Sequence, residues 1–225
     1  GRNLAEIQGI AWPDGDSVIF NGRRPLIQDL DSLPFPAWHM GDVPEYTLEH
    51  TKRNPVLPFI TSRGCPFRCI FCASRVIFES RIRYRSMDAV MEEIDELVGR
   101  HGARELHVWD DNFTLKRDRV MEFCEKLIAR RHRNLSLMVP AGIKPDRGDY
   151  EMFRAMKAAG FYSVCVAVES GDKDIMAKLG KKVDVDKVVG VLKEARRAGL
   201  LLNGFFMLGL PWDTEETMRR NIDHA

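Results

Sequence analysis

Three of the chain's five cysteines, Cys65, Cys69 and Cys72, fall within eight residues in the run RGCPFRCIFC. Such a cluster is unlike the spread pairs of a secreted disulfide framework, and the odd total suggests a reducing compartment in which thiols act as ligands. A structural zinc ion normally takes four protein ligands. No fourth Cys or His lies nearby, and Cys124 and Cys165 sit on an apolar helical face and in an apolar run, where core packing accounts for them. Three thiolates leave one coordination position open. A 4Fe–4S cluster needs that opening when one iron binds an exogenous ligand, whereas clusters that only carry electrons normally use four cysteines. A zinc knuckle completed by a distant His101 or His107, or a set of buried thiols, is the alternative.

Other chemistry-bearing residues follow apolar runs. Asp110, Asp111 and Asn112 come after ELHVW; two adjacent carboxylates repel unless a cation sits near, although an Asp or Asn here could equally cap the turn before Phe113. Lys144, Pro145 and Asp146 come after LSLMV, where a lysine serves either a ligand or solvation. Glu169, Ser170 and Gly171 end FYSVCVAV, and a carboxylate placed there suits the hydroxyls of a ribose. Met207 and Leu208 end LLNGFFML, before Gly209-Leu210-Pro211.

The elements that must position these groups are legible as period. Five short apolar runs, at 57–61, 105–109, 135–139, 161–168 and 201–208, alternate with amphipathic stretches. Ser86 is placed to cap a helix carrying Met87, Val90, Met91, Ile94, Leu97 and Val98 on one face, closing at Gly99 or Gly102. Similar faces lie at 120–128, 152–160 and 185–199. This order predicts an α/β fold, a parallel sheet with right-handed crossovers curled into a partial or complete (β/α) barrel, whose working loops follow the strands. Residues 1–54 read as a hairpin around Pro13-Asp14-Gly15-Asp16 and an extended connector, LDSLPFPAW at 30–38, whose prolines forbid a regular helix. Residues 55–225 form the barrel. A last helix begins near Asp213 and reaches Ala225 without a cap, so a further strand is expected beyond it.

Composition narrows the class. With 34 Lys+Arg against 33 Asp+Glu the formal charge is +1, which argues against a domain-wide basic surface for nucleic acid; Arg130, Arg131, His132 and Arg133 read as a solvated helix end. With 44% hydrophobic residues the chain can build a sizeable core. No apolar run is long enough to span a membrane or form a signal peptide, so a soluble cytoplasmic protein is expected.

The motif RGCPFRCIFC resembles the cluster-binding loop of the radical S-adenosylmethionine (SAM) superfamily, with Phe71 in the adenine-contacting place. The resemblance extends from about Pro58 to Ala225 and implies a partial (β/α) barrel of the radical SAM type with about five βα units present. It implies a 4Fe–4S cluster on Cys65, Cys69 and Cys72, and SAM held by its amino and carboxylate groups on the open iron. Asp110, Asp111 and Asn112 stand where the family receives the SAM amino group, in place of its usual Gly-Gly-Glu. Lys144 would pair with the SAM carboxylate or with substrate. Glu169 and Ser170 resemble the motif that contacts ribose and carboxylate, with Lys181 or Lys182 as a basic partner. Met207 and Leu208 match the final strand, whose backbone packs on adenine; the usual Pro-Gly-Glu-Thr becomes Pro211-Trp212-Asp213-Thr214, where Asp213 could cap the next helix.

The connector resembles the segment that joins a cobalamin-binding domain to the barrel in one large subfamily. The corrinoid signature DxHxxG is absent from residues 1–225, so that domain is expected upstream. The implied activity is reductive cleavage of SAM to a 5′-deoxyadenosyl radical, used for cobalamin-dependent methyl transfer or another radical modification of an unidentified small-molecule or lipid-like substrate. The electron would come from a flavodoxin or ferredoxin. A non-catalytic iron–sulfur or zinc module is the rival reading, and a barrel hydrolase or aldolase that ignores the cysteines a distant third.

Overall fold

The computed structural model describes residues 3–41, 43–45, 47–48 and 51–223; Ala225, at which the last helix was expected to lack a cap, lies outside them. Near the N-terminus β1 (Ala11–Asp14) and β2 (Ser17–Phe20) form the expected antiparallel hairpin, with Asp14 opposite Ser17. The prolyl segment that follows is non-helical as far as a single 3-10 turn at Trp38–Met40.

Beyond it come β3 (Val56–Phe59), β4 (Ser62–Arg63), α1 (Ser74–Ile77), β5 (Arg83–Tyr84), α2 (Met87–Gly99), β6 (Glu105–Val108), α3 (Arg117–Arg130), β7 (Ser136–Ile143) and α4 (Tyr150–Ala158). The chain continues through β8 (Phe161–Glu169), α5 (Lys173–Lys178), α6 (Val185–Arg197), β9 (Leu201–Phe206) and α7 (Glu215–Asp223). The five long-range strands pair in the order β3-β6-β7-β8-β9, all parallel. Each strand is laid beside its predecessor, so the sheet grows in one direction, as in a partial barrel.

Strand alternation decides what the sheet buries. Leu57, Leu106, Val108, Leu137, Val139 and Val164 are fully buried, as are Met91, Ile94, Phe123, Phe153 and Met156 from the covering helices. Each such side chain contributes about 1.5–3 kcal/mol through removal from water. Within the core, Phe123 of α3 stacks on Phe59 at 6.2 Å and meets Phe113 edge-on at 5.4 Å, while Phe161, the first residue of β8, lies 5.7 Å from Phe113. This aromatic cluster ties β3, β8 and α3 to the turn that follows β6.

At the opposite end, Glu105 is completely buried. One of its oxygens accepts the backbone N–H groups of Lys52 and Arg53 at 2.8 and 2.9 Å; the other accepts the Tyr162 hydroxyl at 2.7 Å and lies 2.8 Å from His107 Nε2. Burial alone would raise this carboxyl, but its donors prevail and hold it below the ordinary value. The network fastens the chain entering β3 beneath the sheet.

Four features differ from the sequence reading or escaped it. β7 runs past Val139 to Ile143 through an irregular register, with Gly142 at φ +94°, so Lys144 follows the strand directly. α5 and the β4–β5 ribbon are too short to show a period. The N-terminal turn of α7 is not capped by Asp213, which accepts from the Leu210 N–H at 2.9 Å; instead Thr214 and Thr217 exchange hydrogen bonds between side chain and backbone.

Candidate functional site

The cysteine triplet lies in the loop of the β4–β5 ribbon, directly above β3. Two carboxylates from the end of β6 hold the base of this loop. Asp110, almost fully buried, accepts from Thr61 N, Thr61 Oγ1 and Ser62 Oγ, each at 2.6 Å, and Asp111 accepts from Gly64 N at 2.9 Å. Burial raises the Asp110 carboxyl even though all these donors work against it. Gly64 sits at φ +94°, and a Cβ there would fall 2.1 Å from the Arg81 carbonyl oxygen, so only glycine lets the two arms of the loop approach.

Cys65, Cys69 and Cys72 are all half-buried. Burial raises the Cys65 thiol, with Asp111 and the other two thiols adding, against an N–H from Phe67. Cys69 is also raised chiefly by burial, with Cys72 and Glu169 adding and Lys181 opposing. The loop thus gathers three mutually interacting thiols beside the ends of β6 and β8. Among the described residues no three Cys, His, Asp or Glu side chains close on a single metal ion; a cubane cluster holds its thiolates farther apart than one zinc ion does. The donor set, three thiols with no histidine or carboxylate completing it, fits a cluster with an open iron.

Glu169, the last residue of β8, has a left-handed φ of +68° at a register shift against β9. A non-glycine residue held there costs of order 1 kcal/mol, which the surroundings must overcome. They do so twice. Lys181 reaches back with Nζ 2.7 Å from Glu169 Oε1 and 2.5 Å from the Ala167 carbonyl, making a nearly buried ion pair. Asn221 of α7 accepts from Gly171 N at 2.9 Å and donates to the Glu169 and Met207 carbonyls at 3.2 and 3.0 Å, joining the ends of β8 and β9. Ser170 is buried beside them, its Oγ accepting from Asp172 N at 3.1 Å.

Of the two lysines, Lys181 is the one paired with Glu169. Lys182, one residue on, is exposed and makes no ion pair among the described residues. Gly180 at φ +66° ends α5 just before the two lysines. Lys144 is buried and paired with Asp146 at 2.7 Å, its ammonium 5.1 Å from the ring centre of Phe67 in the cysteine loop. Phe71 is 44% exposed beside Cys72, and Leu208 is also exposed, whereas Met207 packs on the small cluster of Ile175, Met176 and Leu179.

Asn112 differs from its two acidic neighbours. It is buried, it makes no cap bond to the 3-10 turn Phe113–Leu115, and its Oδ1 has no hydrogen-bond partner; Thr114 Oγ1 is likewise unpartnered. Buried polar atoms without partners mark a place where a ligand can supply the bond. Tyr84 and Asn221 have roles that were not visible in the sequence. The Tyr84 ring lies 4.5 Å from the Lys116 ammonium and 5.0 Å from the Arg119 guanidinium, and its buried hydroxyl, also unpartnered, has its pKa raised by burial, with Arg119 opposing and Asp110 and Cys65 adding.

Residues 59–225 match the Radical SAM superfamily, and the chain belongs to that superfamily. Among curated relatives, it is 30% identical over its whole length to the uncharacterized methyltransferase PH0819 of Pyrococcus horikoshii, covering 48% of that protein. It is also 30% identical over 98% of its length to the cytidylyl-2-hydroxyethylphosphonate methyltransferase of Streptomyces wedmorensis, covering 47% of it. The chain thus spans about half the length of these relatives. Among solved structures, 99% of the chain superposes on the cobalamin-dependent SAM radical enzyme OxsB with a TM-score of 0.75 at 21% identity, over 32% of that chain. The methyltransferase TsrM of Kitasatospora setae matches 75% of the chain at a TM-score of 0.68 and 23% identity, over 33% of its own length. These likenesses confirm the expected partial barrel. Among the described residues no helix is long and apolar enough to cross a membrane.

Proposed function

We propose that this chain is the SAM-cleaving barrel of a cobalamin-dependent radical SAM methyltransferase, working in a reducing, cytoplasmic compartment with an electron-donor protein. The observation that carries the reading is the juxtaposition of three half-buried loop thiols with the Lys181–Glu169 ion pair and the unpartnered Asn112 amide oxygen. When bound, the cluster supplies one electron to break a carbon–sulfur bond of SAM, and cobalamin, held outside residues 1–225, carries the methyl group.

The chain's own residues hold and orient. Cys65, Cys69 and Cys72 would ligate the cluster, and Asp110 and Asp111 fix the loop that presents them. Asn112 Oδ1 would accept from the SAM amino group, Lys181, already paired with Glu169, would stand by for the SAM carboxylate, Glu169 would accept from the ribose hydroxyls, and Phe71 with the Met207–Leu208 backbone would hold the adenine. Lys144, buried against Phe67, supports the loop and would be the cation available to the SAM carboxylate or to substrate. The relatives named as methyltransferases favour methyl transfer over other radical outcomes.

Anaerobic reconstitution with iron and sulfide tests the reading. About four irons per chain and dithionite-driven formation of 5′-deoxyadenosine are expected, with methyl transfer in the full-length protein depending on added cobalamin. A colourless zinc-loaded protein, or a brown one inert towards SAM, overturns it.

A further inference from the structure

The register of the β4–β5 ribbon decides which side chains meet at the neck of the cysteine loop. Ser62 pairs with Tyr84, and Arg63 with Arg83. Residues directly opposed in an antiparallel pair project to the same face. The Tyr84 ring therefore leaves the ribbon on the side from which Ser62 Oγ reaches Asp110 at 2.6 Å. Cys65 follows three positions after Ser62, past the left-handed turn at Gly64. The phenol lies in the field of both groups: burial is the main cause of its raised pKa, Arg119 opposes, and Asp110 and Cys65 add.

Two cations hold the ring in place. The Lys116 ammonium stands over it at 4.5 Å and the Arg119 guanidinium at 5.0 Å. Arg119 is itself fixed, donating to the Thr61 and Arg85 carbonyls at 3.2 and 2.8 Å. Positive charge over the ring draws electron density from it, which makes the O–H a better donor.

That donor has nothing to donate to. The Tyr84 hydroxyl is buried and makes no hydrogen bond among the described residues, whereas the hydroxyls of Thr61 and Ser62 both reach Asp110 at 2.6 Å. A buried O–H without an acceptor costs stability. Phenylalanine would fill the same space, keep both cation contacts and avoid that cost, so the hydroxyl is accounted for by an acceptor that the polypeptide does not supply from its own oxygens. A thiolate sulfur bound to iron is such an acceptor, and its negative charge grows on reduction.

We infer that Tyr84 is a positioning residue acting through Cys65: its hydroxyl donates a hydrogen bond to the Cys65 sulfur when that thiolate ligates the cluster, and so makes the cluster easier to reduce. The inference rests on the function proposed above and adds a residue to that site. Hydrogen bonds to the sulfurs are among the features that set the potential of an iron–sulfur cluster. Reduction by dithionite adds one electron and no proton; the phenol keeps its proton and its bond to sulfur strengthens.

The test is a redox titration of the anaerobically reconstituted protein, without SAM, in the wild type and in Tyr84→Phe, which removes the oxygen and leaves the ring. Reduction should be roughly tenfold less favourable in the variant, a midpoint about 59 mV lower for a one-electron couple. Iron content and thermal stability should not fall, because no protein hydrogen bond is lost. Tyr162→Phe is the control. It removes the hydroxyl that Glu105 accepts at 2.7 Å at the other end of the sheet, and should lower stability while leaving the midpoint where it was. An equal or higher midpoint in Tyr84→Phe overturns the inference, as does the same fall in both variants, or loss of iron from Tyr84→Phe, which would make the residue structural. A wild type that takes up no cluster overturns the proposed function and this inference with it, whereas a cluster whose midpoint ignores Tyr84→Phe overturns this inference alone.

Discussion

The two ends of the central sheet handle buried polar groups in opposite ways. At the N-terminal end Glu105 is saturated: four donors converge on it and bind the entering chain to β6 and β8. At the C-terminal end Asn112 Oδ1, Thr114 Oγ1 and the Tyr84 hydroxyl are buried with no partner, and Glu169 is held at a positive φ. One end has its bonds complete and the other holds bonds in reserve, so stability and ligand binding are separated along the strands of one sheet.

Replacing any one of Cys65, Cys69 or Cys72 with Ala should give the largest change, loss of the cluster while the fold is retained; Cys124→Ala and Cys165→Ala should keep the iron, since both thiols are buried in the core. Iron analysis with circular dichroism reads both. Glu105→Ala should do the reverse, costing about 3–5 kcal/mol in chemical denaturation because four donors lose their acceptor, with iron content per folded molecule unaltered. If that variant were as stable as the wild type, the contrast between the two ends would collapse.

A smaller effect is expected from Lys181→Met and from Glu169→Gln, each weakening SAM binding by about 1–3 kcal/mol in titrations of the reconstituted protein, while Lys182→Met leaves affinity unchanged. Equal losses at 181 and 182 would contradict a role resting on the Lys181–Glu169 pair. Glu105 also predicts a pH dependence. Its folded-state pKa lies below the ordinary glutamate value of 4.5, so its stabilising contribution is present above that value and disappears as pH falls through and below it. The acid limb of a stability–pH profile should be shallower in Glu105→Gln than in the wild type. Smallest of all, Asn112→Ala should lower SAM affinity by about 0.5–1.5 kcal/mol without reducing thermal stability, since no protein bond is lost.

How far the sequence foretold these features depends on whether the cause was local. Helix faces, the Ser86 cap and the five apolar runs express contacts within a few residues, and they stand where period placed them. The cysteine loop was legible from spacing alone. The end of β7 was misplaced because Pro140 and Gly142 look like a break, whereas pairing with β8 carries the strand past them. Asp110 and Asp111 also brace residues nearly fifty positions earlier, bonds that no local pattern records. The pairing of Lys181 rather than Lys182 with Glu169 is a tertiary contact across twelve residues, and the staple made by Asn221 depends on how α7 returns to the sheet.

The left-handed backbone of Glu169 has a bearing on how this position would drift. Were folding the only demand, glycine at 169 with an apolar residue at 181 would relieve the strain and remove a desolvated ion pair, and mutation would carry the chain that way within a population. A glutamate kept at φ +68° beside a buried lysine is the residue that chance would erase first once SAM ceased to matter. Lineages that have abandoned the chemistry but kept the barrel should therefore show their loss at 169 and 181 before any change reaches Glu105.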